Sequence, residues 1–452
     1  MNSNQKKYNT YRLAFGEMVY EKYSYTIDAD GLKMEFTFRL NDKIVFRPTA
    51  AIPHRAFLNF DQPKPLMDTL IFNIGMIELV SYWKCVCPKV VQVLPHSLDE
   101  RQTAFWKKIY YNGLGEFFYT NGIKATIDDF MEIHAQNPVA GEHTLQNTSR
   151  GLNDNSYLVP IGGGKDSVVT LEMLRQHGVR PLIMNPREAT TQCAARGGFS
   201  SEETLVIKRH IDPLLLDLNA KGCLNGHTPF SAMLAFYTLL AATLAGVRNV
   251  ALSNENSANE STVAGSSVNH QYSKSLEFEN DFRDYAANYV TRDVNYFSFL
   301  RPLSELQIAM LFARHEKYFD VFKSCNAGSK QDIWCGRCAK CLFAYIILSP
   351  FIEPARLNAI FGKSMLDDWE LRGYFEELTG HTESKPFECV GTISEVNTAL
   401  LMTKRRWYSD GDTPNLLKTF DYKGDMVSTE TLFNDHNLSK DELDALRDAI
   451  GD

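Results

Sequence analysis

The stretch Tyr157-Leu158-Val159-Pro160-Ile161-Gly162-Gly163-Gly164-Lys165-Asp166-Ser167 carries the clearest chemistry in the chain. An apolar run ends in three glycines, and a lysine, an aspartate and a serine then open an apolar-periodic helix. Glycines between a strand and a helix let backbone N–H groups turn toward an anion. The helix N-terminus adds partial positive charge there, and Lys165 adds a full one. Ser167 can cap the helix or bond a phosphate oxygen. Gly162, Gly163, Gly164, Lys165, Asp166 and Ser167 thus form a candidate polyphosphate cradle. Two other nucleotide loops fit less well. A Walker A loop is longer and follows its lysine directly with a hydroxyl residue, whereas Asp166 intervenes here. A dinucleotide fingerprint has a glycine where Ser167 stands, although Glu188 lies near the end of the next strand-like run.

A second constellation is sulfur. Cys325, Cys335, Cys338 and Cys341 lie within seventeen residues, spaced C-x9-C-x2-C-x2-C. Cys-x-x-Cys steps let two thiolates meet one ion, and four thiolates complete a closed tetrahedral zinc site. Such a site is structural, because no ligand position stays open. Three cysteines spaced by three also suit an iron–sulfur centre. Arg337 and Lys340 lie between these ligands and offset thiolate charge. Nine cysteines in 452 residues are too few for a disulfide scaffold. Cys85, Cys87, Cys193 and Cys223 follow no ligand spacing and read as buried apolar residues.

The elements that must position these groups follow an α/β pattern. Strands are expected at 157–161, 181–185, 204–208, 249–253 and 294–299. Helices are expected near 167–177, 187–196, 229–246, 273–289 and 304–314. This reads as a doubly wound parallel sheet, with ligands at the carboxyl ends of its strands. The glycine loop sits at such an end, and so does Glu255, after the fourth strand. Upstream, runs at Tyr11-Leu13-Phe15, Tyr23-Tyr25-Ile27 and Met34-Phe36-Phe38 alternate with polar residues and predict a small antiparallel sheet. Helices near 65–84 and 99–121 follow. The polar stretch 136–155 reads as a domain boundary. Downstream of the cysteines, helical signals recur at 342–349, 366–378 and 440–450. The expected organisation is an N-terminal α+β domain over 1–150, an α/β domain with the candidate polyphosphate loop over 151–324, a four-cysteine segment over 325–350 and a mixed C-terminal region over 351–452.

Composition excludes several classes. Hydrophobic residues make up 44% and charged residues 23%, with a net charge of −8, which describes a globular chain rather than a broadly basic nucleic-acid binder. The N-terminal residues lead into no apolar core of a signal peptide. Residues 228–247 carry no charge and are long enough to span a bilayer. Ser231, Tyr237, Thr238, Thr243 and the flanking strands favour a buried helix. The expectation is a cytoplasmic protein with neither a membrane nor a nucleic-acid partner.

Residues 162–167 resemble the Ser-Gly-Gly-x-Asp-Ser loop of the PP-loop ATP pyrophosphatases, with Gly162 in place of the first Ser. Loop and cysteine array occur together in zinc-containing members such as the 7-cyano-7-deazaguanine synthases. Further motifs point elsewhere: Gly113-Leu114-Gly115-Glu116-Phe117, Asn225-Gly226-His227, Ser253-Asn254-Glu255, Val268-Asn269-His270-Gln271-Tyr272-Ser273-Lys274, Leu300-Arg301-Pro302-Leu303-Ser304-Glu305-Leu306 and Lys385-Pro386-Phe387-Glu388-Cys389-Val390-Gly391. In this order they resemble the MurL family, the UDP-N-acetylmuramoyl-L-alanyl-L-glutamate epimerases of bacterial peptidoglycan synthesis. The likeness covers roughly residues 110–391.

The resemblance implies conversion of the terminal L-Glu of UDP-MurNAc-L-Ala-L-Glu to D-Glu, with ATP cleaved to AMP and pyrophosphate. Adenylating the α-carboxylate removes its charge and lets its carbonyl take carbanion electrons as an enolate. Pyridoxal phosphate has no place, because the Glu nitrogen is held in a peptide bond. The implied cofactors are ATP, Mg2+ and a structural Zn2+, and the implied partner is the ligase that adds L-Glu. Lys165 with Mg2+ is expected to neutralise the leaving pyrophosphate, and Asp166 to hold the metal or the loop. Glu255, His227, His270, Lys274 and Cys389 are the candidates for the acid–base pair. Two other readings share part of this pattern. A deazapurine nitrile synthase or amide ligase shares the loop and the cysteines, but not the first 150 residues or the Lys385–Gly391 motif. A non-catalytic nucleotide-binding protein has only Gly162 in its favour.

Overall fold

The computed structural model describes residues 3–136, 151–263, 265, 268–409 and 411–451. The boundary expected at 136–155 lies outside the described residues over 137–150. The chain divides into two compact units, each drawn from more than one stretch. Residues 1–158, 205–250 and 277–296 form the first, and residues 159–204, 251–276 and 297–452 the second.

In the first unit, strand Glu17–Asp28 pairs antiparallel with Gly31–Leu40, with Met18 opposite Leu40 and Asp28 opposite Gly31. Met34, Phe36 and Phe38, singled out by their alternation, are buried on the second of these strands. The first expected run is not a strand. Residues Ser3–Ala14 form a helix. Leu13 is 89% exposed there, so its alternation with Tyr11 and Phe15 marks no buried sheet face. Arg12 anchors this helix by donating to the carbonyls of Cys87 and Phe130. The sheet is also not purely antiparallel, because Glu17–Asp28 pairs parallel with Val90–Val93, and that strand pairs parallel with Glu132–Ala135.

The α/β region shows the same mixture. Asn153–Pro160 and Val247–Leu252 run parallel, with Val250 opposite Leu158. Leu205–His210, expected within a parallel sheet, pairs antiparallel with Thr49–Pro53. The fold is therefore α/β with a mixed sheet in place of an all-parallel one. Periodicity marks a strand, but its partner and direction depend on residues far along the chain. Helix Lys64–Trp83 packs beside this sheet, and its buried Glu78 receives Arg209 from strand Leu205–His210 at 2.5 Å and the Tyr237 hydroxyl at 2.9 Å. Tyr237 belongs to helix Phe230–Ala245, which the uncharged stretch forms. Among the described residues, no helix is long and apolar enough to cross a membrane.

In the second unit, helices Lys165–Met173 and Glu188–Arg196 flank strand Gly178–Met184. Helix Glu305–Ala313 packs against Lys165–Met173, Ala339–Leu348 and Ile393–Trp407. The expected helices at 342–349 and 440–450 are Ala339–Leu348 and Lys440–Gly451. Of 366–378, only Arg372–Leu378 is α-helical. Ile393–Trp407 was not expected, yet a reciprocal cap between Thr392 and Glu395 starts it.

Candidate active site

The glycine loop follows strand Asn153–Pro160 and ends in helix Lys165–Met173. Gly163 has φ +83°, a left-handed conformation that a side chain would strain, and a Cβ there would lie 3.2 Å from the Ala189 and Thr190 backbone. Its carbonyl accepts from the Lys323 N–H at 2.7 Å, which ties the loop to the segment that leads into the first cysteine of the array. Arg187 donates to the Gly162 carbonyl at 3.2 Å. A Cβ on Gly162 would meet nothing within 4 Å, so the position that departs from the PP-loop pattern leaves room for the missing serine. Gly164 is the N-cap and offers no side chain to the first turn. Ser167 does not cap the helix; its hydroxyl donates to the Gly164 carbonyl at 3.0 Å.

Lys165 is not on an exposed loop. It is the first residue of the helix, buried, and ion-paired with both Asp166 and Glu305. Burial opposes its charge, but the Asp166 and Glu305 carboxylates outweigh burial and hold it protonated. Asp166, Glu255 and Glu305 each place a carboxylate oxygen within 4.8 Å of the others. Burial raises the Glu305 pKa, and Asp166 and Glu255 add to the rise against Lys165. For Asp166, burial is overcome by Lys165, Lys340 and Lys274, which hold it below the ordinary carboxylate range. Three close oxygen donors of this kind suit a hard divalent cation. Arg301 fixes one of them. It is fully buried and donates to the Glu255 carbonyl at 2.6 Å and to the Lys274 carbonyl, so it joins two loops.

Lys274 leads from these carboxylates to sulfur. Its Nζ lies 3.3 Å from Cys389 Sγ, and the His270 side chain also hydrogen-bonds that sulfur. Burial pushes the thiol pKa up, but Lys274, His270 and Lys340 reverse that and pull it down to about 6. The Cys389 backbone is held separately, because its carbonyl accepts from Lys340 Nζ. Gln271 reaches the Val390 carbonyl at 3.3 Å, and the Lys385 N–H reaches the Thr262 carbonyl at 3.1 Å. Lys385 also pairs with Glu260. At Gly391, a Cβ would lie 2.6 Å from Glu395 Oε2 and 3.2 Å from Glu305 Cγ. Only glycine lets this segment approach Glu305, whose N–H donates to Glu395 at 2.8 Å. A cleft of about 240 Å³ beside the segment is lined by Cys338, Glu377, Lys385 and Glu388, among others.

The sulfur atoms of Cys325, Cys335, Cys338 and Cys341 also converge within 4.8 Å. Cys325 and Cys338 are 3.8 Å apart, and Cys335 and Cys341 are 3.7 Å apart. A tetrahedron with metal–sulfur bonds of about 2.3 Å has edges of about 3.8 Å, so the set fits one ion. A multinuclear cluster, with several metal ions between its thiolates, requires wider spacing. Cys338 immediately precedes helix Ala339–Leu348 and Cys341 sits in its first turn, with the buried Lys340 between them.

The second unit thus brings together Lys165, Asp166, Glu255, His270, Lys274 and Cys389. His227 belongs to the first unit, where its Nδ1 lies 3.3 Å from Glu116. Glu305, Arg301 and Glu395 were not singled out by type or spacing, and Lys340 only as an offset to thiolate charge. Glu305 had one usable signal: Ser304 and Gln307 form a capping box that fixes it as the first residue of a helix.

Comparison with known proteins extends the match beyond residues 110–391. The family described as the MurL N-terminal domain matches residues 10–299, and the MurL C-terminal domain matches residues 321–421. A protein of Xanthomonas oryzae pv. oryzae (strain MAFF 311018), named UDP-N-acetyl-alpha-D-muramoyl-L-alanyl-L-glutamate epimerase, is 36% identical over 376 residues, covering 80% of this chain and 81% of the relative. A protein of the same name from Micromonospora sp. (strain ATCC 39149 / NRRL 15099 / SCC 1413) is 37% identical over 366 residues, covering 76% and 78%. No solved structure matches the chain. The chain belongs to the MurL family of epimerases, and its activity is that of an isomerase.

Proposed function

We propose that the chain uses ATP to invert the terminal L-Glu of UDP-MurNAc-L-Ala-L-Glu, with release of AMP and pyrophosphate. The observation that carries this is the continuity of two kinds of group in one unit. The Lys165–Asp166–Glu305 cluster at the glycine loop is linked through Lys274 to the sulfur of Cys389. The first kind suits phosphate chemistry, and the second suits proton transfer at carbon.

In this reading the glycine loop is a PP-loop on a doubly wound core. The N-terminal N–H groups of helix Lys165–Met173 and the Lys165 ammonium receive the phosphates. The Glu α-carboxylate attacks the α-phosphorus, so pyrophosphate leaves and an acyl adenylate forms. Asp166, Glu255 and Glu305 would hold Mg2+, which when bound neutralises phosphate charge. The acyl carbonyl then accepts the electron pair of the Cα–H bond as a proton is removed. A proton returns on the opposite face, and water cleaves the adenylate to D-Glu and AMP. Cys325, Cys335, Cys338 and Cys341 would hold one structural Zn2+, which supplies folding free energy to the segment. Pyridoxal phosphate is not required. A cytoplasmic ligase that attaches L-Glu to the muramoyl peptide supplies the substrate.

The test is incubation with UDP-MurNAc-L-Ala-L-Glu, ATP and Mg2+, followed by chiral analysis of hydrolysed Glu. The expected result is D-Glu, with AMP and pyrophosphate formed only when the dipeptide is present. Glu that stays wholly L contradicts the proposal.

A further inference from the structure

We infer that Cys389, as a thiolate, is one of the two groups that exchange a proton with the Glu α-carbon. The inference deepens the proposed reaction and rests on that reading. Its support is the set of groups converging on one sulfur. Lys274 Nζ lies 3.3 Å from Sγ, and the His270 side chain bonds the same atom. Lys340 from helix Ala339–Leu348 holds the Cys389 carbonyl, which fixes the residue without occupying its sulfur. Cys389 as a residue is half-buried. Cationic neighbours favour a thiolate. The buried cysteines elsewhere have the opposite setting: burial raises Cys87 well above the ordinary thiol value and Cys193 to about 12. The same ammonium that faces Cys389 also faces Glu255 and Asp166, so the sulfur and the carboxylates of the phosphate site share one cation.

The step balances without an oxidant or reductant. The Cα–H bond breaks and its proton goes to Sγ, forming S–H. The C–H electron pair becomes the Cα=C bond of the enolate, and the carbonyl π pair moves to oxygen. An acid on the other face then forms the new Cα–H bond. Cys389 returns its proton to solvent before the next turnover, and the reverse direction uses the same groups in opposite order.

The experiment uses the full chain with Cys389→Ala and Cys389→Ser, and with both the L-Glu and D-Glu diastereomers. Three quantities are read: dipeptide-dependent pyrophosphate–ATP exchange, inversion, and deuterium entry at the Glu α-carbon in deuterated water. The expected result is retained pyrophosphate exchange and inversion lowered by about 10²–10⁴-fold in both directions. Deuterium should still enter one diastereomer and not the other, because one face keeps its own group. In the unsubstituted chain, inversion in the direction in which Cys389 removes the proton should fall as pH drops through about 6, where the thiol takes up its proton. Lys274→Met should move that fall to higher pH, with His270, Lys340 and Glu388 left in place. Near-normal inversion in Cys389→Ala overturns the inference. So does loss of pyrophosphate exchange together with inversion, loss of deuterium entry from both diastereomers alike, or substrate mass attached covalently to Cys389. An unsubstituted chain that shows no dipeptide-dependent pyrophosphate exchange overturns the adenylation reading itself, a result distinct from all of these.

Discussion

Lys165→Met should lower AMP formation by at least about 10²–10³-fold, the scale for loss of a group that stabilises developing charge in a closed site. The chain should remain folded, but its stability should depend on pH more strongly than that of the unsubstituted chain. Removing Lys165 leaves Glu305 buried beside Asp166 and Glu255 without its ammonium partner. An unpaired buried charge of this kind costs roughly 3–5 kcal/mol when it cannot neutralise. Glu305 can neutralise, because burial and its acidic neighbours already raise its pKa, and loss of Lys165 raises it further. A carboxyl whose folded pKa lies above its unfolded value is protonated more in the folded state. Stability therefore falls as pH rises from the ordinary Glu value to the raised one. Thermal unfolding of Lys165→Met should show a higher midpoint at pH 5 than at pH 8, relative to the unsubstituted chain. AMP formation near the normal rate contradicts the role given to Lys165.

The second large effect concerns the four cysteines. Cys338→Ser should remove one tightly held zinc per chain and unfold the segment around it. Zinc-linked folding free energies of about 10 kcal/mol in small zinc domains set the scale. The effect should reach the chemistry through Lys340, which lies between Cys338 and Cys341 and reaches the Cys389 carbonyl. Lys340→Met separates the two roles: it should keep the metal and the melting temperature while inversion slows. Elemental analysis, thermal unfolding with and without a chelator, and inversion rates read the three quantities. Purified protein without zinc, or with a coloured iron centre, contradicts the assignment.

The glycine loop and the cysteine array were legible as candidate sites because each is local. The loop residues are consecutive and the four cysteines lie within seventeen residues, so candidate chemistry can be read from type and spacing. Glu305 and Lys340 were not legible as site residues. Glu305 reads as an ordinary helical charge, and Lys340 as an offset to thiolate charge, until the fold sets one against Lys165 and the other against Cys389. The burial of Lys165 was not legible either, because it depends on the neighbouring helix Glu305–Ala313, whose Glu305 pairs with it. Strands were placed within a few residues, but their directions were not, as the antiparallel Leu205–His210 shows. The run Tyr11-Leu13-Phe15 shows the opposite failure, since alternation without burial belongs to a helix there.

The central claim is that the α-hydrogen leaves an ATP-activated glutamyl group. It is tested most directly by mass spectrometry of the product formed from UDP-MurNAc-L-Ala-L-Glu in deuterated water, with AMP measured in the same sample. The expected result is D-Glu carrying one deuterium at its α-carbon, with AMP accumulating alongside and neither appearing when ATP is omitted. D-Glu that retains its original α-hydrogen, or that forms without AMP, contradicts the account.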